Sequence, residues 1–306
     1  MLNSAKRLFL ALGAASLAAI VLTSAGCTRA GPSIPATPDG TVMTVCKALA
    51  DSQPEYLWAA LPASYQKDVQ DNVVRAFAAR LDPDVYSKGT AVLKKLSGVL
   101  GSKKEMLINL VIAQLSAMPM VQVDKPALER NWDAVTGLLD ALLASELGDL
   151  GRLKAIDVGS FLGTTGGKVM QKFAALSAAT KEDPFAKEFK AKMAGMQVVV
   201  ASAQADNAVL KITPPGQPEE TVEFVKVEGK WLPKDLQAEW AKGIAEVKAQ
   251  VAAFDANAMA ASKPKIMGAL AAVDAALDQL AAAKTPEEFG QVMGNLMQSL
   301  PFPLGF

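Results

Sequence analysis

Histidine is missing from this sequence, and cysteine occurs only twice among its 306 residues. Without an imidazole the chain cannot form a Ser-His-Asp triad, a Cys-His pair or a histidine-containing zinc site. Basic and acidic residues balance at 31 each, so nothing indicates the basic surface that nucleic-acid binding requires. The composition excludes the commonest histidine-dependent enzymes. It predicts no nucleic-acid partner, no cofactor, no metal site and no catalytic residue set.

The N-terminus has the pattern of an export signal. Lys6 and Arg7 precede an apolar run over residues 8–22, which is followed by the small residues of Thr23-Ser24-Ala25-Gly26 and then Cys27. This arrangement resembles the lipobox of bacterial lipoproteins. The resemblance implies cleavage between Gly26 and Cys27, lipidation of Cys27 and attachment of the exported protein to a membrane of the cell envelope. The rest of the chain resembles uncharacterised bacterial envelope proteins, which adds no mechanism.

Two other interpretations of the leader stay open. An ordinary signal peptidase would cleave near Ala25 or beyond, and an uncleaved leader would act as an anchor, although a membrane span needs about 20 apolar residues. Stable attachment takes more than one acyl chain, and a mature lipoprotein N-terminus has two or three, palmitate among them. In Gram-negative lipoproteins, which this leader resembles, Asp after the cysteine favours retention in the inner membrane; the resemblance therefore implies, from Thr28 at that position, a preference for the outer membrane.

The segment after Cys27 is rich in proline and glycine and is predicted to be a flexible tether. Fully extended, it would reach at most about 40 Å. With Cys27 acylated, Cys46 is the other cysteine and has no intramolecular disulfide partner. Cys46 lies on an apolar helical stripe with Val42, Val45 and Leu49, which favours a small core side chain over a reactive thiol.

Hydrophobic spacing predicts a helix-rich α+β fold, with amphipathic helices packed on and beside one small antiparallel β-meander. One face of this sheet should be packed and the other wet. The hairpin around Gly229-Lys230-Trp231 is similar to the last hairpin of cystatin-like and NTF2-like folds. The predicted organisation is 1–26 signal peptide, 27–40 lipidated Cys and tether, 41–196 helical region, 197–233 meander and 234–306 C-terminal helices, with 41–306 as one domain in an alternative division.

Local signals predict where several helices begin and end. Capping boxes, in which a hydroxyl residue is followed by Glu three positions later, predict helix starts at Ser52, Ser102 and Thr285. Asp82 with Pro83 predicts another start, and Gly101 predicts the end of the helix that begins there.

Three further groups of residues suggest chemistry. The sequence Gly163-Thr164-Thr165-Gly166-Gly167-Lys168 invites a phosphate-loop interpretation but lacks the required Gly and Ser/Thr spacing. A flexible loop capping the next helix is expected there, at the end of a glycine-rich stretch, 152–166, that is predicted to be a loop or a short helix. Asp82 and Asp84 suggest calcium, although a helix cap explains them better. Acid–base hydrolysis or a Ser-Lys dyad would draw on Asp68, Asp71, Asp149, Asp157, Glu239, Ser97 and Ser102, whose spacing brings no pair across a cleft.

These observations favour a non-enzymatic envelope lipoprotein that binds or scaffolds an envelope protein partner. One alternative is a carrier of an apolar small molecule or lipid, with Trp231, Phe224 and Val198 as the wall of a pocket between the sheet and its helices. The other alternative is a histidine-independent hydrolase. The apolar C-terminal residues Met293, Met297, Phe302, Leu304 and Phe306 are expected either to close the core or to form an adhesive patch.

Overall fold

Among the described residues helices dominate, and they come both before and after the four strands along the chain. The computed structural model describes residues 31–116, 124–179, 185–254 and 256–299. The helices before the sheet are α1 Pro38–Ala50, α2 Glu55–Ala60, α3 Ala63–Lys67, α4 Ala76–Ala79, α5 Pro83–Ser102, α6 Lys104–Ser116, α7 Lys125–Leu143, α8 Leu150–Lys154, α9 Val158–Phe161, α10 Gly167–Ala179 and α11 Phe185–Ala194. Those after it are α12 Lys234–Ala253, α13 Ala256–Ala282 and α14 Pro286–Ser299. The π-helical segments Asp68–Arg75 and Leu162–Gly166 join α3 to α4 and α9 to α10, and a 3-10 turn, Glu146–Gly148, precedes α8.

The sheet is a four-stranded antiparallel meander, as the alternation of apolar residues predicts. Its strands are β1 Gln197–Ala203, β2 Asn207–Thr213, β3 Glu220–Val227 and β4 Lys230–Pro233, in the spatial order β1-β2-β3-β4. The turn between β3 and β4 holds Glu228 at φ 49° and Gly229 at φ 78°. Two successive left-handed residues are what a type I′ hairpin turn needs, and its twist matches that of the strands. The helix-rich α+β class is therefore confirmed.

One face of the sheet packs on α1 and the other carries charged side chains. Leu210 pairs with Val222 across β2 and β3, and Ala208 pairs with Phe224, so that their side chains share a face. That face forms a core with residues of α1, in which Leu210 is 0% exposed. The alternate residues Lys211 and Glu223 are exposed. The predicted division into a packed and a wet face follows from the two-residue period of the strands.

Two further cores contain no strand residue. The second joins the π segment Asp68–Arg75 and α4 to α8 and α9, and Phe161 is one of its buried side chains. The third joins α5 to α13 and α14 through Val92, Leu277 and Phe289. Among the described residues no helix is both long and apolar enough to cross a membrane.

Two predicted helix caps are present and one predicted stop is not. The Asp82 carboxylate accepts hydrogen bonds from the amides of Asp84 and Val85, which caps α5. Thr285 Oγ1 accepts from the amide of Glu288 at 3.2 Å and so caps α14. The helix α5 runs through Gly101 to Ser102, because an isolated glycine costs a packed helix only about 1 kcal/mol.

The other two predicted capping boxes do not form. Ser102 is the last residue of α5, and its hydroxyl donates back to the carbonyl of Val99. Ser52 follows the end of α1 at φ 59°. The amide of Ser52 donates to Leu49 O and that of Gln53 donates to Ala48 O, which is the Schellman pattern of a helix C-terminus. Both serines therefore belong to the helix before them, since the tertiary path of the chain decides which helix end a local signal serves.

Candidate functional site

The predicted lipidation residue and its cleavage partner, Cys27 and Gly26, lie outside the described residues. The structure does show how the segment after them reaches the body. Ile34 packs against the sheet core. The indole N–H of Trp231 donates to the carbonyl oxygen of Ala36 at 2.7 Å, and the hydroxyl of Thr41 donates to that of Pro35 at 3.0 Å. We call residues 34–37, held by these contacts, the docked segment.

Gly40 gives the docked segment room to lie close to the start of α1. A Cβ atom at position 40 would stand 2.6 Å from Thr37 Oγ1 and 2.8 Å from Pro35 Cβ. Thr37 also caps α1, accepting a hydrogen bond from the Gly40 amide. The prediction of a flexible tether over residues 27–40 therefore needs correction at its C-terminal half. Residues 38–40 belong to α1, and residues 34–37 rest on the sheet, because a buried indole that needs an acceptor finds one in Ala36.

The three residues predicted to line a ligand pocket are packed in the core of the sheet. Phe224 is 2% exposed and Trp231 is 5% exposed. Both belong to one packed cluster with side chains of α1, and Val198 packs against its edge. The apolar residues that suggested a pocket wall pack in one cluster with side chains of α1, and their role as a pocket wall stays a prediction. The carrier alternative therefore gains no support at this place.

Cys46 is a core residue, as its position on the apolar stripe of α1 suggests. Its side chain is 4% exposed and belongs to the same cluster as Phe224 and Trp231. Burial raises the pKa of the Cys46 thiol to about 11, because a thiolate in apolar surroundings loses its hydration. The thiol is therefore protonated at neutral pH and has little nucleophilic reactivity.

The glycine-rich segment at 159–167 is a helix-packing surface. It is helical throughout, passing from α9 through the π segment Leu162–Gly166 into α10. Its glycines face α2 and the turn before it: a Cβ on Gly159 would meet Nε1 of Trp58 on α2 at 2.9 Å, and one on Gly167 would meet Ser52 O in the turn at 2.8 Å. The flexible loop predicted at 163–168 is therefore wrong, whereas the short helix that was the alternative for residues 152–166 is present at Val158–Phe161. The glycines are explained by close approach between two parts of the chain, not by phosphate binding.

The carboxylates of Asp82 and Asp84, at the start of α5, form salt bridges with a distant helix. Lys263 on α13 lies 2.9 Å from Asp82 and 2.6 Å from Asp84. The Val85 amide and the Lys263 ammonium, which both bond to Asp82, lower the pKa of that carboxyl. The helix-cap interpretation of these two residues accounts for their geometry.

Asp68 and Asp71, two of the acidic residues predicted as candidates for hydrolysis, bind different partners. Asp68 accepts from the indole of Trp240 at 3.1 Å. Asp71 forms salt bridges with Lys67 and Arg75 on either side of it along the chain. The hydrogen bond from Lys67 is the largest cause of the lowered pKa of Asp71, and Arg75 lowers it further.

Two of the remaining hydrolase candidates cap helices. Asp149 and Asp157 cap α8 and α9 by accepting backbone amides. Ser97 donates to Asp140 and not to a lysine. Within the described ranges, acidic and cysteine residues form no group of three that could hold a metal ion.

Two features of the structure, a buried carboxylate and a cleft, were not predicted from the sequence. Glu146, in the 3-10 turn before α8, is 2% exposed, and neither carboxylate oxygen has a hydrogen-bond partner among the described residues. A cleft of about 650 Å³ lies where α5 meets α6, lined in part by Lys103, Lys104 and Lys284. The sequence around Glu146 has the pattern of an ordinary helix end. Lys284, which lines the cleft with Lys103 and Lys104, comes from a distant part of the chain. No local signal could have found either feature.

Comparison of the chain with family models, with curated proteins and with solved structures finds no match.

Proposed function

We propose that this protein is a lipid-anchored lipoprotein of the bacterial cell envelope that acts by binding or scaffolding. One observation carries the anchor: the basic start, the apolar run over residues 8–22 and the small residues that end at Cys27. The docked segment supports it, because it leaves a short link between the acylated cysteine and a folded body. Two or three acyl chains hold such a body at a bilayer stably.

The binding role is supported by what the candidate catalytic groups do. Asp82, Asp149 and Asp157 cap helices, Ser97 is bonded to Asp140, and Cys46 is protonated in the core. Each of these groups makes its contacts within the fold separately from the others. The hydrolase alternative would need two of them, or serine and lysine, to converge on one substrate atom.

Mass spectrometry of the mature N-terminus tests the anchor. We expect an N-terminal peptide that begins at Cys27 and carries the mass of the acyl groups. Cys27→Ser should move the protein from the membrane to the soluble fraction, whereas Cys46→Ala, which alters the other cysteine, should leave it on the membrane. An unmodified peptide beginning after residue 27, or unchanged membrane partition of Cys27→Ser, would contradict lipidation.

In-cell crosslinking tests the binding role. Reproducible crosslinks from the wild-type protein to one envelope protein, lost in Cys27→Ser, are expected of an anchored scaffold. A purified protein that turns over ester or glycoside substrates, with loss of turnover on replacing a named acidic residue, would instead favour the hydrolase.

A further inference from the structure

We propose that strand β1 is an interface between two copies of this chain, which pair antiparallel along its outer edge. Among the described residues β1 lies at one end of the sheet, and β2 is the strand that pairs with it. An edge strand presents a row of unpaired backbone N–H and C=O groups, and another strand is the partner that satisfies them together. This pairing does not depend on the lipid anchor at Cys27.

The two edges of the sheet are protected to different degrees. β4 has four residues, ends at Pro233 and packs on α12. Short length, proline and a covering helix are devices that keep an edge strand from pairing. β1 has seven residues and contains neither a proline nor a charged side chain. Its pairing with β2 is irregular between Val200 and Ser202, which leaves the first half of the strand regular and open to a partner.

Apolar side chains are exposed on both faces of β1. Val199 pairs with Lys211 on the wet face of the sheet and is 60% exposed. Val200 pairs with the buried Leu210 on the packed face and is itself 40% exposed. Val198 packs against the core of the sheet. An uncharged strand with exposed valines on both faces is a site at which another strand adds to a sheet.

The regular half of β1 is complementary to itself. With a two-fold axis at Val199, each Val199 lies opposite the other, and Val198 of each copy lies opposite Val200 of the second copy. This register keeps the wet faces of both sheets on one side, since residues directly opposite share a face. Like charges do not meet, because β1 is uncharged and Lys211 on the next strand is bound to Glu219 at 2.9 Å. A two-fold interface is closed, so pairing stops at the dimer.

The size of the interface predicts a weak and reversible dimer. A stable interface buries about 800 Å² on each partner, and a seven-residue strand, about 24 Å long, offers less. Backbone hydrogen bonds of the added strand supply the affinity. Since basic and acidic residues balance at 31 each, net charge does not oppose association. The fraction of dimer should therefore rise with protein concentration.

Disulfide trapping tests the register. Residues directly opposite each other in an antiparallel pair have Cα atoms about 4.5–5.5 Å apart, a distance that a disulfide spans. Val199→Cys should therefore give a reducible species of twice the chain mass under mild oxidation. Lys211→Cys is the matched control on the same face, because two copies of that position would lie three strand spacings, about 14 Å, apart. The unsubstituted chain, which contains Cys27 and Cys46, measures the background.

Sedimentation equilibrium of the purified full chain in non-ionic detergent tests the interface without a crosslink. The wild type should pass from monomer to dimer as its concentration rises to about 1 mM. Val199→Lys places two ammonium groups opposite each other and should weaken dimerisation by about tenfold or more. The fold should tolerate it, because Val199 is 60% exposed. Val135→Lys, the same change at a 43% exposed residue of α7, is the matched control and should leave the dissociation constant unchanged.

Several results would overturn the pairing of two copies. One is a wild type that stays monomeric over this range, and another is equal trapping at positions 199 and 211. A Val199→Cys crosslink to a different protein would show that β1 accepts a foreign strand instead of a second copy. Dimerisation that Val199→Lys leaves unchanged would place the interface elsewhere. An unmodified Cys27 would overturn the anchor and leave these measurements unaffected, so the two proposals fail separately.

Discussion

Alkaline pH should destabilise this protein through a single buried thiol. Cys46 lies on α1 against the sheet, where it is 4% exposed. Burial raises the pKa of its thiol from the ordinary value of 9.0 to about 11. In the unfolded chain the thiol ionises near the ordinary value, so between these two pKa values the unfolded state binds fewer protons than the folded state. The free energy of unfolding must then fall as the pH rises through that window.

The size of the effect follows from the difference between the two pKa values. One pKa unit corresponds to 1.36 kcal/mol, so a change from 9.0 to about 11 gives a loss of roughly 2–3 kcal/mol. The stabilisation is fully present below pH about 9 and is lost by pH about 11. A loss of this size is a large part of the total stability of a typical domain.

Urea unfolding of the wild type and of Cys46→Ala, followed by circular dichroism from pH about 8 to about 11, measures the effect. The variant loses packing at every pH, which shifts its curve by a constant amount. Tyr65 and Tyr86, whose pKa values burial also raises, titrate in both proteins and cancel in the difference. The free energies of the two proteins should therefore converge as the pH rises. Parallel curves would show that the folded thiol ionises like an exposed one and would refute the reasoning.

Two further predictions concern the contact between the α1–α2 turn and the glycine-rich helix. Ser52→Gly should stabilise the protein by about 0.5–1 kcal/mol, because a left-handed residue with a Cβ is strained; a lower midpoint in urea would contradict the Schellman assignment. Gly159→Ala should destabilise by about 1–3 kcal/mol, since its Cβ would meet the ring of Trp58. Gly163→Ala, whose Cβ would lie 3.7 Å from Glu55, is the matched control and should leave stability unchanged or raise it by up to about 1 kcal/mol, the helix preference of alanine over glycine. Equal effects of the two alanines would argue against close packing.

The spacing of apolar residues was sufficient to predict most of the secondary structure. Helices before and after one interval of strands, and the antiparallel order of those strands, follow from periods of 3.6 and two residues. The caps at Asp82 and Thr285 form because their partners lie within the next three residues. Cys46 could likewise be placed in the core from the stripe it shares with its neighbours on α1.

The predictions that failed depend on contacts between distant parts of the chain. Ser52 and Ser102 carry the local pattern of a helix start, yet each ends a helix, because the turn after it is set by packing. The same limit applies to Trp231 and Phe224. Their pattern shows that they are buried, but not whether the neighbouring volume holds a ligand or the side chains of α1.

The sequence by itself determined the helix-rich α+β class, the meander and a leader that resembles a lipoprotein signal, since each depends on residues near one another in the chain. Only the tertiary structure decided what covers the sheet, why glycines line the segment at 159–167, and how residues 34–37 rest beside Trp231. The hydrogen bond between Trp231 and Ala36 joins positions 195 residues apart. Local propensity carries no information about such a pair, because it forms only once the sheet and α1 have packed together.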